Sequence, residues 1–469
     1  MSLLRALAPA HPHATAPPIV SIVFAGLLVV AAAWALVTLP ASLAIPIVIG
    51  GSAAITAWMV FPDSPAYALL VLSPYVISFN VGPLNGVYVQ DLIVGALAIA
   101  VGSGILAGVQ RETRFRTRLG MTLIVLWALL ALWNAYTYRF GVANRWLMSD
   151  ETKNVWYTYR QIWRTMLPFP IVALYLRDPH PSGKVIDLLL LTSGALAAWA
   201  VFKAPETHYV AVGPFETGNQ LSGYLVPIVP FAAARILLSE SRRSKLLAAV
   251  AMLCMVRAMW LSGSRGGFIG CVASLLPLAL FVPRRRVGAV AGVAAIALVL
   301  AVSQGGLLHS TKLQRFLSIG KFETDETFRW REEQWAIFMN SLRQHPITGT
   351  GSDVDKTLVE LDRAQTPHNA YLGLAMRAGI PGAVLAVLML AVVALSCVRG
   401  LLAPGTEPEA MVFWMGLLGS VIGLAVHGLG EATIILASVQ YLLWTLLGFA
   451  VVEATGSSWV RAGAEIPRG

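Results

Sequence analysis

Long apolar segments separated by short polar links make up most of the chain. A helix needs about 20 residues to cross roughly 30 Å of hydrocarbon, and most of these segments approach that length. Because lipid offers the backbone no hydrogen-bond partners, they are predicted to be α-helices. Two shorter ones, 65–80 and 165–177, are interpreted as half-helices or re-entrant pieces. The candidates are 18–38, 41–60, 65–80, 88–109, 119–138, 165–177, 185–203, 217–239, 246–261, 266–282, 287–303, 380–399, 409–427 and 433–452.

The composition supports a membrane protein. Of the 469 residues, 57% are hydrophobic and 12% are charged, and the mean hydropathy is +0.70. Soluble globular domains are less apolar than this. We therefore expect an all-α polytopic integral membrane protein with 12 to 14 transmembrane helices. The expected units are an N-terminal transmembrane bundle at 1–303, one large helical region outside the membrane at 304–378, and C-terminal transmembrane helices at 379–469.

The net charge of +10 is concentrated in the links between apolar segments. Basic clusters occur at 111–118, 240–245 and 283–286, and the positive-inside rule places such clusters in the cytoplasm. With these links inside, both termini fall in the cytoplasm as well. Segment 18–38 is too long for a signal-peptide core and is interpreted as an uncleaved span. The charge therefore reflects topology, and no nucleic-acid partner is expected.

The segments assigned to the outer side nevertheless carry many cations, which topology does not explain. A cation at a membrane edge is costly, so it is by default a functional hypothesis. Arginine binds phosphate through two parallel hydrogen bonds, and a group of these residues would suit an anionic ligand. The outer cations are Arg139, Arg145, Arg160, Arg164, Lys203, Arg265, Arg315, Arg329 and Arg331.

The segment 325–346 is predicted to be an amphipathic helix. Its apolar stripe of Phe328, Trp335, Phe338 and Leu342 includes Arg331 at helical spacing. A cation within an apolar stripe requires a partner, which is either a carboxylate of the protein or a phosphate of a ligand. Arg329 lies on the opposite, polar face, where a solvated charge is expected.

Two glycine-containing corners precede predicted helices. In "LSGSRGGFIG", 261–270, the glycines allow a ligand close to the backbone beside Arg265, although tight membrane turns also use glycine. In "ETGNQLSGYLVP", 216–227, Gly218 and Asn219 are predicted to cap the following helix. Capped helix starts also attract anions, so the two roles are compatible.

The stretch "TPHNAYLGLAMRAGIPG", 366–382, reads as a short helix. Thr366 is predicted to be its N-cap and Pro367 its first residue, with Gly379 and Pro381 ending it. His368 would then lie in the first turn, where the helix dipole disfavours the imidazolium form. A neutral imidazole can act as a general base. The alternative is a histidine that merely hydrogen-bonds at a helix start.

Other catalytic signatures are weak. "SDVDK", 352–356, contains an Asp-x-Asp pattern but sits in a polar loop, and the three cysteines lack metal-ligand spacing. No nucleotide-binding loop, His-Glu-x-x-His motif or nucleophile elbow is present in the sequence. We therefore expect no metal and no cofactor.

Taken together, several of these motifs resemble the O-antigen ligase and polymerase family. The resemblance covers roughly 215–385, with Gly218-Asn219 and the Ser264-Arg265-Gly266 corner as further landmarks. Gln220 departs from the proline often found there in the family. The motifs in the outer region are Arg331 to Trp335, His345-Pro346, Gly349 to Gly351, His368-Asn369 and Gly379 to Gly382.

This resemblance implies an all-helical C-type membrane glycosyltransferase of the Gram-negative inner membrane with about 12 transmembrane helices, so two of the 14 candidates are expected to merge or drop out. It implies undecaprenyl-pyrophosphate-linked glycan as donor, lipid A-core as acceptor, membrane lipids as surroundings, and a periplasmic active site formed by region 304–378 and its neighbours. His368 is expected to be the general base. Arg265, Arg331, Arg160 and Arg164 are expected to bind the pyrophosphate, with supporting roles for Asn369, Gly218, Asn219, Arg329 and Lys203.

Three alternatives remain. A polymerase or an O-oligosaccharyltransferase of the same family would use the same chemistry on another acceptor. A lipid flippase or transporter would place its charged residues near the bilayer midplane, often in paired repeats. The sequence places its polar residues at one face of the membrane and shows no repeat, so transport is the weaker interpretation.

Overall fold

The computed structural model describes residues 63–75, part of 94–101, 117–140, 164–207 except 177, 210–283, 326–350 and 367–456. Within these ranges the regular structure is entirely helical. The helices are α1 (Ser64–Leu72), α2 (Arg118–Phe140), α3 (Pro168–Tyr175), α4 (Ser182–Lys203), α5 (Gly218–Leu225), α6 (Val229–Leu238), α7 (Arg242–Ser262), α8 (Arg265–Ser274), α9 (Leu276–Phe281), α10 (Glu326–Gln344), α11 (Ala370–Leu402), α12 (Pro408–His427) and α13 (Ala437–Gly456).

Seven helical segments in the described residues are long and apolar enough to cross a membrane, which confirms a polytopic membrane protein. They correspond to seven predicted spans, although α11 begins ten residues before its predicted span at 380. The predicted spans 18–38, 41–60 and 287–303 lie outside the described residues. The total of about 12 helices and the division at 303 and 378 stay predictions. The seven segments are Arg118–Thr137, Ser182–Lys203, Gly218–Leu238, Arg242–Ser262, Ala370–Leu402, Pro408–His427 and Ala437–Gly456.

The predicted span 266–282 is divided into two short helices. The chain leaves regular helix at Leu275, which separates α8 from α9, and Pro277 lies at the start of α9. Proline cannot donate a backbone hydrogen bond and clashes with the preceding turn, so it breaks a continuous helix. The described parts of 65–80 and 165–177 contain the short helices α1 and α3, and their interpretation as half-helices or re-entrant pieces stays a prediction.

The centre of the bundle is formed by α5, α6, α12 and α13. The segments Gly218–Leu238 and Ala437–Gly456 are each 89% buried, and Pro408–His427 is 78% buried. By contrast, Arg118–Thr137 and the apolar part of α11 are each 22% buried. The helices α2 and α11 are therefore at the periphery, where their exposed apolar side chains face lipid.

Small residues allow the central helices to approach closely. A Cβ atom at Gly423 would lie 2.7 Å from Ser274 Cβ and 2.9 Å from a methyl group of Val226. A Cβ at Gly270 would lie 2.8 Å from His427 Cβ. Contacts through small residues are typical of helix packing in membranes, where close backbone approach replaces the hydrophobic effect. They hold α8 directly against α12.

The helix break between α5 and α6 leaves backbone groups that must be satisfied within the bundle. The interruption at 226–228 contains Pro227, whose carbonyl accepts a hydrogen bond from Ser420 Oγ of α12. A buried carbonyl without a hydrogen-bond partner costs roughly several kcal/mol in a lipid environment. The serine thus makes the break stable.

The helix α10 confirms the predicted amphipathic stripe. Phe338 is fully buried and Leu342 is 7% exposed, and both pack against Ala375 and Met376 of α11. Arg331 and Trp335 lie on the same face and contact the segment around residue 368 (below). The apolar stripe thus docks α10 on the first part of α11.

A glycine-based junction joins the end of α10 to the middle of α11. Gly379 interrupts α11 with φ 67° and ψ 176°, and Gly349 in the loop after α10 also has a positive φ of 65°. Thr350 N–H donates to the Met376 carbonyl at 2.7 Å, and Ile380 N–H donates to the Pro346 carbonyl at 2.9 Å. The helix predicted to end at Gly379 and Pro381 does so, and a second helical segment continues from there.

An indole from α2 completes this junction. Trp133 Nε1 donates to the Ala378 carbonyl at 2.6 Å, which is one of the carbonyls freed by the break at Gly379 and Pro381. The interruption in α11 is therefore stabilised by the loop after α10 on one side and by α2 on another.

Replacing Gly379 by alanine is expected to lower the melting temperature of the detergent-solubilised protein by several degrees. The added Cβ would overlap the Ile347 carbonyl, and the left-handed backbone adds roughly 1–2 kcal/mol of strain for a residue with a side chain. Gly405→Ala is the matched control, because Gly405 has φ 73° but no atom within 4 Å of its Cβ position. Equal losses in both variants, measured by thermal unfolding, would show that the close approach is unimportant.

Candidate functional site

A single carboxylate, Glu431, connects three distant parts of the chain. Its Oε1 accepts hydrogen bonds from Arg331 Nη2 at 2.6 Å and from Asn219 Nδ2 at 2.8 Å. Its Oε2 lies 2.9 Å from His368 Nδ1. The Glu431 side chain is only 11% exposed, so these partners replace most of its water. We refer to Glu431, Arg331, His368 and Asn219 as the Glu431 cluster.

The turn after α12 positions Glu431. The backbone N–H groups of Gly430 and Glu431 both donate to the His427 carbonyl at 3.1 Å. The His427 side chain is buried, and its Nδ1 lies 2.6 Å from Thr433 Oγ1. This pair closes residues 427–433 into a compact turn. The turn places Glu431 at the end of the apolar bundle, next to α10.

The start of α11 differs from its prediction. The helix begins at Ala370, and Asn369 is the N-cap, because its side chain accepts from the N–H groups of both Tyr371 and Leu372. The prediction that Pro367 is the first helical residue is therefore wrong, and Thr366 lies outside the described residues. Since the Asn369 side chain satisfies the exposed N–H groups of the first turn, the helix needs no cap further upstream.

The segment before α11 is fixed to the Glu431 turn. Ala370 N–H donates to the Gly428 carbonyl at 2.7 Å, and Asn369 Nδ2 donates to the Leu429 carbonyl at 3.2 Å. Both amide atoms of Asn369 are thus used in structural hydrogen bonds. These bonds fix the backbone next to His368. The supporting role expected for Asn369 in substrate binding stays a prediction.

The helix α10 holds His368 from the other side. Trp330 and His368 make an edge-to-face contact with ring centroids 5.4 Å apart, and Trp335 Nε1 donates to the Pro367 carbonyl at 2.7 Å. His368 itself has φ 43°, a left-handed conformation that is uncommon for residues other than glycine. These contacts keep the imidazole against Glu431 despite the unfavourable backbone conformation.

Arg331 has the protein carboxylate that was one of its two expected partners. The Arg331 side chain is 23% exposed. Its Nε is buried and has no hydrogen-bond partner among the described residues, and Nη1 lies 3.7 Å from the Cβ position of Gly430. Arginine has five N–H donors, so pairing with Glu431 leaves donors for an anion.

The Arg265 corner lies against the same carboxylate. Arg265 is half-buried and is the first residue of α8, whose N-cap Ser264 accepts from Gly267 N–H at 3.2 Å. A Cβ at Gly266 would lie 3.8 Å from Glu431 Cγ and 3.3 Å from His427 Cδ2. The start of α8, which carries the positive end of the helix dipole, therefore points toward the Glu431 turn.

The start of α5 supplies Asn219, but its cap differs from the prediction. Thr217 is the N-cap and accepts from Gln220 N–H, so the capping role predicted for Gly218 and Asn219 is wrong. A Cβ at Gly218 would lie 2.5 Å from the Ser262 carbonyl oxygen. Gly218 thus allows α5 to pack on the end of α7, and Asn219 is left to bind Glu431.

The other predicted cations are not partners of Glu431 in the described structure. Arg164 is 4% exposed in a single helical turn at Arg164–Met166. Lys203 is the last residue of α4, and Arg329 is exposed on α10. Arg160 lies outside the described residues, as does the Asp-x-Asp pattern at 352–356. Pyrophosphate binding by Arg160 and Arg164 and the supporting roles of Lys203 and Arg329 stay predictions.

Sequence reasoning missed Glu431, although a signal was present. The segment 428–432 is a short link between two apolar spans, and Glu431 is its acidic residue. An ionisable residue at the end of a membrane span is a functional hypothesis by default. The predicted site drew on basic residues and histidine and did not include this carboxylate.

The geometry provides a carboxylate-bound imidazole beside a guanidinium. A deprotonated carboxylate only accepts hydrogen bonds, so Nδ1 of His368 carries the proton that faces Glu431. This tautomer leaves Nε2 as the nitrogen that can accept a proton. The arrangement therefore suits removal of a proton from a hydroxyl next to an anionic group.

Residues 250–387 match the family described as O-antigen ligase. This range contains Arg265, Arg331 and His368, whereas Asn219 and Glu431 lie outside it. No curated protein matches the chain. The predicted resemblance of this multi-pass membrane protein to the O-antigen ligase family is confirmed over residues 250–387.

Proposed function

We propose that this chain is an O-antigen ligase. It transfers a glycan from undecaprenyl pyrophosphate to a sugar hydroxyl of lipid A-core at the periplasmic face of the bacterial inner membrane. The observation that carries the proposal is the Glu431 cluster, in which His368 and Arg331 bind opposite oxygens of one carboxylate. A base and a phosphate-binding cation are thus held within one site of a chain whose residues 250–387 match the O-antigen ligase family.

His368 acts as the general base in this proposal. Nε2 accepts the proton of the acceptor hydroxyl as its oxygen attacks the anomeric carbon of the donor sugar. Glu431 holds the ring in the required tautomer and stabilises the imidazolium as it forms, in the way that a buried carboxylate supports histidine in acyl transfer. General-base catalysis of this kind contributes roughly 10²–10⁴-fold to the rate.

Arg331 and Arg265 stabilise the leaving group. As the bond from the anomeric carbon to the phosphate oxygen breaks, its electron pair passes to the pyrophosphate, which leaves as lipid-linked pyrophosphate. In this proposal the developing charge is stabilised by the donors of Arg331 that do not bind Glu431 and by the start of α8 beside Arg265. Two cations perform the charge stabilisation that a divalent ion gives in many phosphoryl sites, so the proposed reaction is metal-independent.

Direct attack inverts the configuration at the anomeric carbon. One C–O bond forms and one breaks, and the proton leaves with His368, so no oxidant, reductant or nucleotide is required. The donor is already activated by its pyrophosphate, which agrees with the lack of nucleotide-binding motifs in the sequence.

A strain lacking this protein is expected to accumulate bare lipid A-core, with long glycans left on the lipid carrier. The wild-type gene should restore full-length lipopolysaccharide, and His368→Gln should not, because glutamine cannot accept the proton. His345→Ala is the control, since the backbone of His345 rather than its ring joins the loop to Gly349. The result is measured from the banding pattern of the lipopolysaccharide of each strain. Core bearing one repeat unit in the deletion strain would instead identify a polymerase of the same family.

Glu431→Gln is expected to lower kcat on the order of 100-fold with a small change in KM. The amide keeps the size of the side chain but loses the charge that stabilises the imidazolium. Glu333→Gln, on the exposed face of α10, is the matched control. Purified variants should be compared in single-turnover transfer assays together with their melting temperatures. Wild-type kcat in a folded Glu431→Gln protein would remove Glu431 from the mechanism.

Arg331→Ala is expected to weaken binding of the lipid-linked donor about 10- to 100-fold, because a charge-assisted hydrogen bond contributes roughly 1.5–3 kcal/mol. The variant also leaves Glu431 with one cationic partner fewer, so the melting temperature must be recorded in parallel. Arg343→Ala, in the exposed last turn of α10, serves as the control. Unchanged donor affinity in the folded Arg331→Ala protein would exclude Arg331 from the pyrophosphate site.

A further inference from the structure

Two buried polar side chains that the proposed reaction does not use adjoin the Glu431 cluster. His427 is the last residue of α12, and Thr433 begins the short turn Thr433–Ile435 that follows Glu431. Each of the two residues is only 1% exposed, and His427 Nδ1 lies 2.6 Å from Thr433 Oγ1. We refer to them as the His427–Thr433 pair.

Three glycines provide the space for the His427 ring. A Cβ built at Gly223 of α5 would lie 3.3 Å from His427 Cε1, and one built at Gly270 of α8 would lie 2.8 Å from His427 Cβ. A Cβ at Gly266 would lie 3.3 Å from His427 Cδ2 and 3.8 Å from Glu431 Cγ. The ring is thus enclosed by α5 and α8, the two helices whose starts lie beside the Glu431 cluster.

The His427 ring leaves one of its nitrogens unpaired. Nε2 is buried and has no hydrogen-bond partner among the described residues. A buried polar atom without a partner lowers stability, so an apolar side chain of similar size would suit this position better on stability alone. What the imidazole contributes is therefore its hydrogen bond with Thr433.

This hydrogen bond joins the two ends of the link that carries Glu431. At the upstream end, the backbone N–H groups of Gly430 and Glu431 both donate to the His427 carbonyl at 3.1 Å. At the downstream end, the Thr433 hydroxyl attaches the next turn to the His427 ring. Fixing both ends reduces the number of conformations that residues 428–432 can adopt. The pair therefore restricts where the Glu431 carboxylate can lie.

The position of this carboxylate matters because its two oxygens have different partners. Oε1 of Glu431 accepts from Arg331 Nη2 at 2.6 Å and from Asn219 Nδ2 at 2.8 Å, and Oε2 lies 2.9 Å from His368 Nδ1. A displacement of about 1 Å along any of these bonds would lengthen it beyond the usual hydrogen-bond range. In enzymes, a misplacement of about 1 Å can lower the rate on the order of 100-fold.

We propose that the His427–Thr433 pair positions Glu431 for the transfer reaction and affects catalysis only through that carboxylate. The inference rests on the proposed function, because that function makes His368 the base that Glu431 orients. In this proposal the pair contacts neither donor nor acceptor, since both side chains are buried. His427 and Thr433 are therefore positioning residues.

Thr433→Val tests the pair, because it removes the hydroxyl and keeps the shape of the side chain. We expect kcat to fall about tenfold with KM for the lipid-linked donor unchanged. Thr433→Ser keeps the hydroxyl and should retain the wild-type kcat. Thr445→Val is the matched control, because Thr445 is fully buried and its hydroxyl donates to the Tyr441 carbonyl of the same helix at 2.7 Å. Wild-type kcat in the Thr433→Val protein would overturn the proposal.

A double mutant separates action through Glu431 from a general structural effect. In a Glu431→Gln background, Thr433→Val should lower kcat no further, because the charge that the pair positions is already absent. A further loss of about tenfold in this background would show that the pair acts independently of Glu431, which contradicts the proposal.

Hydrogen–deuterium exchange of the substrate-free, full-length protein tests the positioning without any transfer. The amides of residues 428–433 should exchange about fivefold faster in Thr433→Val than in the wild type, whereas Thr433→Ser and Thr445→Val should match the wild type. Unchanged exchange in Thr433→Val would overturn the proposal whatever reaction the chain catalyses. Faster exchange in a protein without glycan transfer would contradict the proposed function and support the positioning of Glu431. Thr433→Ala replaces Thr433→Val in all three measurements if the latter does not fold.

Discussion

A carboxylate removed from water is stable only when donors on the protein replace the water, and Glu431 meets this requirement with three side chains from three segments. Asn219 comes from α5, Arg331 from α10 and His368 from the segment before α11. The pairing of one charge thus brings together the start of α5, the helix α10 and the α11 cap. The same pairing places a base beside a cation. In this site the stabilising contacts and the proposed chemistry use the same atoms.

A second constraint explains why motifs without evident chemistry accompany the reactive residues. Backbone carbonyls freed at breaks in α11 and between α5 and α6 must find donors inside the protein. Thr350 and Trp133 satisfy those at α11, and Ser420 satisfies the one at Pro227. The glycine and proline motifs after α10 and within α11 therefore form a junction that fixes α10 on α11. In the proposed function this junction positions Arg331 and His368.

Much of this arrangement could be predicted from the sequence, because the signals are local. Helical spacing placed Arg331 on the face of α10 that docks on the bundle, and apolar length located the seven spans described. The N-caps Thr217 and Asn369 were missed because neighbouring residues are also suitable as N-caps. Backbone contacts favour the observed caps, with α7 in the case of Thr217 and with the Glu431 turn in the case of Asn369. Glu431 was missed because its partners lie 63 to 212 residues away in the chain, a separation that periodicity does not report.

The backbone conformation of His368 limits which residues evolution or engineering can place there. At φ 43° a side chain branched at Cβ collides with its own main chain, whereas asparagine, aspartate and glycine tolerate this region. Valine, isoleucine or threonine at this position would therefore release the α11 cap from the Glu431 turn before any effect on proton transfer is felt. Substitutions at residue 368 therefore fall into two groups, according to whether the new side chain is branched at Cβ. Only substitutions that keep the left-handed backbone conformation report on the role of the imidazole.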